Sequence, residues 1–267
     1  MTEPLSYPLV DSHAHLDFKD FNKDRDAVVR RALTAGVELI INVGFDLASS
    51  RKGVELAASY ACIHAAVGIH PHDASAVPHD YLAQLETLAA APGVVALGEM
   101  GLDFYRDRSP RPLQRKVFRE QLALARQLDL PVILHDRDAH TELITILRDD
   151  GLPKAGGVLH CFSGDLSLAR EAMALGLYIS IAGPVTYPRN NDLRGVAAAI
   201  PVEKMLLETD APFLSPVPQR GRRNEPAYVA FTAETVAALR GSTVAELGSA
   251  CLDNTRRLFF CSRSIDY

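Results

Sequence analysis

Short apolar runs alternate with longer, mostly polar stretches along the chain. Eight of these runs are rich in Val, Ile and Leu, as strands buried in a parallel sheet are. Each is followed by a stretch that is long enough for a helix or a loop. The eight predicted strands are Pro8–His13, Val37–Val43, Ile63–Ile69, Val94–Glu99, Pro131–His135, Gly157–His160, Leu177–Ile181 and Lys204–Glu208.

Several of the polar stretches predict helices. Pro112–Leu128 gives the clearest pattern, because a proline stands near its first turn and its apolar side chains recur at helical spacing among charged ones. Asp24–Ala35 has similar spacing and stops before Gly36, which favours the end of a helix there. Weaker patterns predict helices at Tyr81–Ala90, Thr141–Arg148, Leu166–Leu175 and Phe231–Arg240.

This alternation predicts an α/β fold with a parallel sheet. For a chain of 267 residues the best fit is a single TIM-like (β/α)8 barrel, with one domain over residues 1–267. The alternative is an open doubly wound sheet, which usually carries a glycine-rich phosphate-binding turn after its first strand. Here the first strand leads into His13-Ala14-His15, so the barrel is favoured.

Charge and composition restrict the class of protein. The net charge of −5 argues against tight, sequence-independent coating of DNA, so any nucleic acid would be bound locally. Four scattered cysteines without zinc-type spacing are typical of a reducing compartment. No apolar run reaches the ~18 residues of a membrane span, and residues 1–10 do not resemble a leader peptide. We expect a cytoplasmic protein without membrane contact, and the sequence indicates no protein partner.

Histidines and carboxylates stand at the carboxyl ends of most predicted strands. In a barrel these ends form the rim where active sites are built. His13 and His15 are two residues apart, so both can face the barrel axis and bind one metal ion. The other polar residues at strand ends are His70 and His72 on the third strand, Glu99 and Asp103 on the fourth, His135 and Arg137 on the fifth, His160 on the sixth, and Glu208 and Asp210 on the eighth.

Four histidines and two carboxylates from separate strand ends predict a pair of metal sites. Nitrogen and oxygen ligands suit Zn, Mn, Co or Fe, and oxygen-rich sites suit Mg. The lack of thiolate ligands favours a catalytic over a structural centre. The predicted first ion is held by His13, His15 and Asp210, the second by His135 and His160, and Glu99 bridges the two.

Each of these residues also has a structural alternative. Glu99 could pair with Arg106 or Arg108, and Asp210 could cap a turn. His13 and His15 could lie in a surface turn, and His135 and His160 could be hydrogen-bonded core histidines. Of the basic residues, Arg137 is a candidate phosphate contact; Arg220, Arg222 and Arg223 either guide a nucleic acid backbone or belong to a solvated loop.

Seven segments together resemble the signature blocks of TatD-type deoxyribonucleases, a branch of the amidohydrolase superfamily. The resemblance extends from about residue 10 to about residue 230, with the blocks in the family order. One departure is Gln219, where relatives often carry His. The segments are VDSHAHLD, GIHPHD, GEMGLDFY, ILHDRDA, LHCFSG, LLETDAPFL and RGRRNEPAYV.

The resemblance implies a distorted TIM barrel of the metal-dependent hydrolase type with two divalent ions, taken from Zn, Mn, Mg or Co. It implies the same metal ligands as above, with Asp210 and Glu99 as catalytic residues and with His70 and Arg137 near the substrate. The superfamily's alternative bridge is a carboxylated lysine, and Glu99 at this position favours the TatD branch.

The implied activity is cleavage of DNA phosphodiester bonds by a metal-activated hydroxide, as a 3′–5′ exonuclease on single strands. Asp210 would orient the water and accept its proton. An ester or amide hydrolase on the same dinuclear centre is the alternative, for example one that removes the ester of aminoacyl-tRNA. A non-catalytic metal-binding scaffold is a third reading, which the intact ligand set disfavours.

Overall fold

The computed structural model describes residues 7–261 and contains one eight-stranded parallel sheet in the order β1 to β8. The expectation about a leader peptide rests partly on residues 1–6, which lie outside the described residues. The strands are β1 (Leu9–Ala14), β2 (Val37–Val43), β3 (Ile63–Val67), β4 (Val94–Asp103), β5 (Val132–Arg137), β6 (Gly157–Leu159), β7 (Leu177–Ile181) and β8 (Met205–Leu207).

The sheet curves until its last strand meets its first. Ala14 pairs with Ala211 in a parallel bridge just beyond β8. The backbone N–H of His15 donates to the Ala211 carbonyl at 2.8 Å, and that of Asp210 donates to the His13 carbonyl at 2.9 Å. Eight parallel strands therefore form a nearly closed barrel, which confirms the predicted fold class. Its apolar side chains form one continuous buried core.

All six predicted helices are present, with each end within two residues of the one expected. The sequence analysis did not predict the other three of the nine helices in the described range. Among these helices none combines the length and apolar character needed to cross a membrane. The helices are α1 (Arg25–Thr34), α2 (Leu47–Ser59), α3 (Tyr81–Ala89), α4 (Arg111–Leu128), α5 (His140–Asp150), α6 (Leu166–Ala174), α7 (Asn191–Ala199), α8 (Val229–Arg240) and α9 (Val244–Phe260).

The missed helix α2 packs through small residues. Its buried positions are Ser49, Ser50 and Gly53, which give no apolar stripe in the sequence. A Cβ added at Gly53 would lie 3.1 Å from Asn42 Nδ2, so α2 approaches β2 more closely than a larger side chain allows. A capping box between Asp46 and Ser49 sets its first turn.

Strand lengths around the rim differ from the predicted ones. β4 continues four residues beyond Glu99, with an irregular pairing to β5 between Leu97 and Met100, and β5 continues to Arg137. β6 and β8 end earlier than expected, and His160 and Asp210 therefore lie in the loops after them. Asp210 has a left-handed backbone (φ 58°), so the loop and not the pleat of the strand sets its direction.

Candidate metal centre

Glu99 lies at the middle of the carboxyl-terminal rim, and its side chain is buried among imidazoles. Its Oε1 atom is 2.8 Å from both His135 Nδ1 and His160 Nε2, and its Oε2 atom is 3.4 Å from His13 Nε2. His70 Nε2 is 3.4 Å from Oε1 as well. Within the described residues, the ionic contacts of Glu99 are all to histidine, which rules out the alternative pairing with an arginine.

A glycine explains how β4 brings Glu99 so close to its neighbour strand. Gly101 has φ 143°, and a Cβ added there would lie 2.0 Å from the His135 carbonyl oxygen. No L side chain fits between these two backbones. The segment Gly-Glu-Met-Gly in β4 is therefore needed to set Glu99 beside His135.

His13, His15 and Asp210 meet on the opposite side of Glu99. The Nε2 atoms of His13 and His15 are 3.2 Å apart, and Asp210 Oδ1 is 3.5 Å from His15 Nε2 and 3.8 Å from His13 Nε2. The Val43 carbonyl accepts a hydrogen bond from His15 Nδ1 at 2.7 Å. That bond puts the His15 proton on Nδ1 and leaves Nε2 free to bind a cation.

The donor atoms converge closely enough to hold a metal ion in three overlapping ways. Within each group the candidate ligand atoms all lie within 4.8 Å of one another. His70, which the sequence analysis expected to contact substrate, belongs to one of these groups. The His13 ring stacks on the His160 ring, with the ring centroids 4.0 Å apart. The groups are His13 with His160 and Asp210, His13 with His15 and Glu99, and His70 with Glu99 and His135.

The charges of this cluster depend on one another. Burial alone would raise the pKa of Glu99, but the nearby His160 and His70 charges and hydrogen bonds from His13 and His135 hold it well below its usual range. Burial lowers the pKa of His160, but Glu99 and Glu208 raise it. The pKa of His160 is therefore well above its ordinary value. Buried carboxylates thus need positive charge among these imidazoles, and a divalent cation bound in place of the protons supplies it.

His15 shows the same balance on the β1 side. Burial lowers its pKa, while the hydrogen bond and charge of Asp210 raise it to about 9. Two buried imidazole nitrogens elsewhere in the cluster, His13 Nδ1 and His160 Nδ1, make no hydrogen bond within the described residues. Both atoms belong to rings whose Nε2 atom faces Glu99, and His160 Nδ1 is 3.4 Å from Glu208 Oε1.

Asp103, whose role the sequence left open, supports His135. It is fully buried, and its Oδ2 atom is 3.2 Å from His135 Nε2 and 2.9 Å from His72 Nε2. Its Oδ1 atom accepts hydrogen bonds from the Tyr105 and Arg106 backbones at 3.1 and 2.7 Å. The carboxylate therefore orients one imidazole of the site and the loop after β4 together.

Asp11 supports the other side, and the sequence analysis missed it. It is fully buried and accepts from Thr209 N at 2.8 Å and Thr209 Oγ1 at 2.5 Å. Burial raises its pKa to about 8 despite these bonds. Asp11 stands two residues before His13 on the same strand face, and that spacing was the signal available in the sequence.

Arg137 and Arg223, two of the candidate substrate contacts, have different surroundings. Arg137 lies half-buried at the rim with its Cζ atom 4.0 Å from the centre of the Tyr105 ring. Arg223 is held by Asp24, with nitrogen-to-oxygen distances of 2.8 Å, and lies over Phe21. Arg223 is therefore part of the framework, and Asn224 next to it donates to the Thr209 and Phe213 carbonyls.

The TatD related DNase family model matches residues 10–260 of the chain. The chain is 43% identical over 251 residues to a Bacillus subtilis protein named "Uncharacterized metal-dependent hydrolase YabD", covering 94% of this chain and 98% of the relative. It is 41% identical over 258 residues to the "3'-5' ssDNA/RNA exonuclease TatD" of Citrobacter koseri, covering 94% and 98%. The crystal structure of YJJV, a TatD homolog from Escherichia coli K12, superposes with a TM-score of 0.90 at 37% identity, covering 94% of this chain and 97% of the other.

Proposed function

The chain belongs to the TatD related DNase family of metal-dependent hydrolases, and from this premise we propose that it is a 3′–5′ exonuclease that removes nucleotides from single-stranded DNA. The observation that carries the proposal is the Glu99 carboxylate enclosed by imidazoles from four strand ends, at the mouth of the barrel. The name of the Citrobacter koseri relative supports both the substrate and the direction of attack.

We propose that the site holds two divalent ions, from Zn, Mn, Mg or Co. His13, His15 and Asp210 would hold one, and His135 and His160 the other, with Glu99 between them. His70 lies within reach of the second position. When bound, the ions supply Lewis-acid activation of the phosphoryl group and of a water molecule. The protein's own groups then have to bind the strand, orient that water and accept its proton.

Asp210 is our candidate for the proton acceptor. Burial raises its pKa, but the His15 hydrogen bond and the surrounding imidazoles hold that pKa below its ordinary value, so it is a carboxylate at neutral pH. Its side chain is 13% exposed and opens towards the mouth of the barrel. A group in this position can take the proton of an attacking water while the bond from phosphorus to the leaving oxygen breaks.

Arg137 is our candidate for the phosphate contact. A guanidinium matches two phosphate oxygens, and the Arg137 Cζ atom lies 4.0 Å from the centre of the Tyr105 ring at the rim. Arg137→Ala should raise the KM for an oligonucleotide about tenfold and change kcat little. Because the net charge of the chain is −5, such local contacts and the bound cations would supply the attraction for the strand.

The test uses protein stripped of metal and single-stranded oligomers labelled at the 3′ or the 5′ end. Mg, Mn, Zn or Co is added in turn to the wild type and to a Glu99→Ala, His135→Ala double variant. The matched control is Glu203→Ala, His79→Ala, which removes the same residue types from exposed positions outside the donor cluster. We expect metal-restored cleavage in the wild type and control only, with a ladder that shortens from the 3′ end.

A failure to cleave with every metal would overturn the nuclease proposal. The barrel and its donor cluster would then favour an ester or amide substrate on the same centre, such as the ester of aminoacyl-tRNA. A cytoplasmic location stays a prediction from the sequence.

A further inference from the structure

Three phenylalanine rings from three strand ends meet beside the metal centre. Phe18 follows β1, Phe45 follows β2 and Phe213 follows β8. The Phe18 ring centre is 5.2 Å from that of Phe45 and 5.4 Å from that of Phe213, the latter pair edge to face. All three lie within 5.7 to 6.1 Å of the His15 ring. We call these three rings the phenylalanine shelf.

The shelf leaves one large apolar side chain in solvent. Phe213 is 45% exposed, while Phe18 and Phe45 are half-buried beneath it. The backbone of Phe213 is held firmly, because its N–H donates to the Asp210 carbonyl at 2.8 Å and its own carbonyl accepts from Asn224 Nδ2 at 2.6 Å. An exposed ring on a fixed backbone is a preformed contact surface.

The position of the shelf indicates what it binds. Phe213 is three residues from Asp210, and Arg137 with Tyr105 stands at the β5 side of the rim. A ligand that spans this mouth needs phosphate for the cationic centre and a flat apolar group for the ring. A nucleotide has both, and bases of any sequence stack on aromatic side chains.

We propose that the base of the 3′-terminal nucleotide stacks on Phe213 when its phosphate lies in the metal centre. This inference rests on the proposed nuclease function and deepens it, because a base can stack there only if it is unpaired. Phe213 is thus a specificity residue for single-stranded ends. The same contact is open to every base, so it adds no sequence preference.

The test is a cycle that removes the ring, the base or both. The substrates are one oligomer with an ordinary 3′-terminal nucleotide and one whose 3′-terminal nucleotide is abasic. The proteins are wild type, Phe213→Ala, Phe213→Trp and Val217→Ala. Val217 is a matched control, since it is 41% exposed in the same loop. KM and kcat are measured for each pair, and binding of 5′-labelled oligomers that carry a phosphorothioate at the 3′-terminal linkage is followed by fluorescence anisotropy with the metal bound.

We expect Phe213→Ala and removal of the terminal base each to raise KM about tenfold. The two losses should not add, because either change alone breaks the same contact. We expect kcat to stay within about threefold, Phe213→Trp to restore KM, and Val217→Ala to behave as wild type. Equal losses for Phe213→Ala on both oligomers would overturn the proposal, because the ring would then act on something other than the base.

The anisotropy measurement separates this inference from the proposed function. If wild type cleaves neither oligomer, the nuclease proposal fails, and the same cycle in binding constants still decides the role of Phe213. Weaker binding of the ordinary oligomer alone by Phe213→Ala supports the shelf. Identical binding by wild type and Phe213→Ala overturns it.

Discussion

The two sides of the metal centre are built by different means. On the β1–β8 side, backbone groups hold the ligands: His15 Nδ1 donates to the Val43 carbonyl, and Asp210 N donates to the His13 carbonyl. On the β5–β6 side, carboxylates do this work. His135 lies between Glu99 and Asp103, and His160 Nδ1 is 3.4 Å from Glu208 Oε1.

The difference bears on how each side responds to substitution. Hydrogen bonds to the main chain survive a change of side chain at the acceptor residue, so a substitution of Val43 should leave the bond from His15 Nδ1 in place. Partners that are carboxylates can be removed one at a time, and outer partners of this kind typically support ligand affinity and activity. Substitution of Asp103 should therefore affect the β5–β6 side selectively, whereas Glu99 serves both sides and Asp11 and Asp210 belong to the β1–β8 side.

Glu99→Gln should have the largest effect, because Glu99 contacts ligands on both sides. We expect turnover to fall on the order of 10³-fold and metal to be lost from both positions. Turnover and bound metal, by elemental analysis after dialysis, are the measurements. Glu203→Gln, an exposed change at the far end of the barrel, is the control. Retention of full metal content in Glu99→Gln would contradict a shared bridging role.

Asp103→Asn should weaken metal binding on the β5–β6 side only. The amide still accepts from the Tyr105 and Arg106 backbones but loses its charge beside His135. We expect metal affinity at the β5–β6 position to fall about 10- to 100-fold, with the β1–β8 position little changed. Isothermal titration calorimetry of the metal-free protein with metal distinguishes the two metal positions.

Asp107→Asn is the matched control for that variant, because Asp107 is exposed in the same loop and pairs only with Arg111 among its described ionic contacts. An equal loss at both metal positions in Asp103→Asn would show that the two sides are not independent. The comparison between backbone and carboxylate support would then fail.

Strand spacing in the sequence predicted that His13 and His15 lie side by side, and they do. Their role as metal ligands, and that of Glu99 and His135, stays a prediction. The sequence could not predict which side chains contact each other across the barrel, such as the stacking of the His13 ring on the His160 ring. That contact depends on loops after β6 and β8 whose left-handed residues carry no periodic signal.

The same limit explains the missed elements. Helix α2 buries Ser49, Ser50 and Gly53, and no hydrophobic period can reveal a face made of small residues. The phenylalanine shelf brings together positions 18, 45 and 213, which only the closure of the barrel makes neighbours. Strand order could be inferred from alternation, but distances between loop side chains could not.

Thr209→Val tests the support beneath the β1–β8 side. The change removes two hydrogen bonds of Oγ1, one to the buried Asp11 side chain and one from the Ala211 backbone N–H at 3.1 Å, and leaves the bond from Thr209 N to Asp11 in place. We expect the free energy of unfolding to fall by about 1–3 kcal/mol, measured by urea denaturation of metal-free protein. Turnover at saturating metal should fall less than in Asp103→Asn.

Thr232→Val is the matched control for the threonine variant. Thr232 is equally buried, and its Oγ1 has no hydrogen-bond partner among the described residues. Replacing an unsatisfied hydroxyl with a methyl group should leave stability unchanged or raise it. A similar loss in both variants would mean that packing around threonine, and not the hydrogen bonds of Thr209 Oγ1, accounts for the effect.

Arg223→Ala should have the smallest effect and sharpens the contrast between the framework and the mouth. Arg223 pairs with the half-exposed Asp24 and lies over Phe21, so it joins the loop after β8 to α1. Pairs of this exposure contribute about 0–1 kcal/mol, and we expect that loss in thermal or urea unfolding. The KM for single-stranded DNA should stay within about twofold, in contrast to Arg137→Ala. A KM rise as large as that of Arg137→Ala would mean that Arg223 leaves Asp24 and contacts the DNA. The framework on the β1–β8 side would then take part in substrate binding.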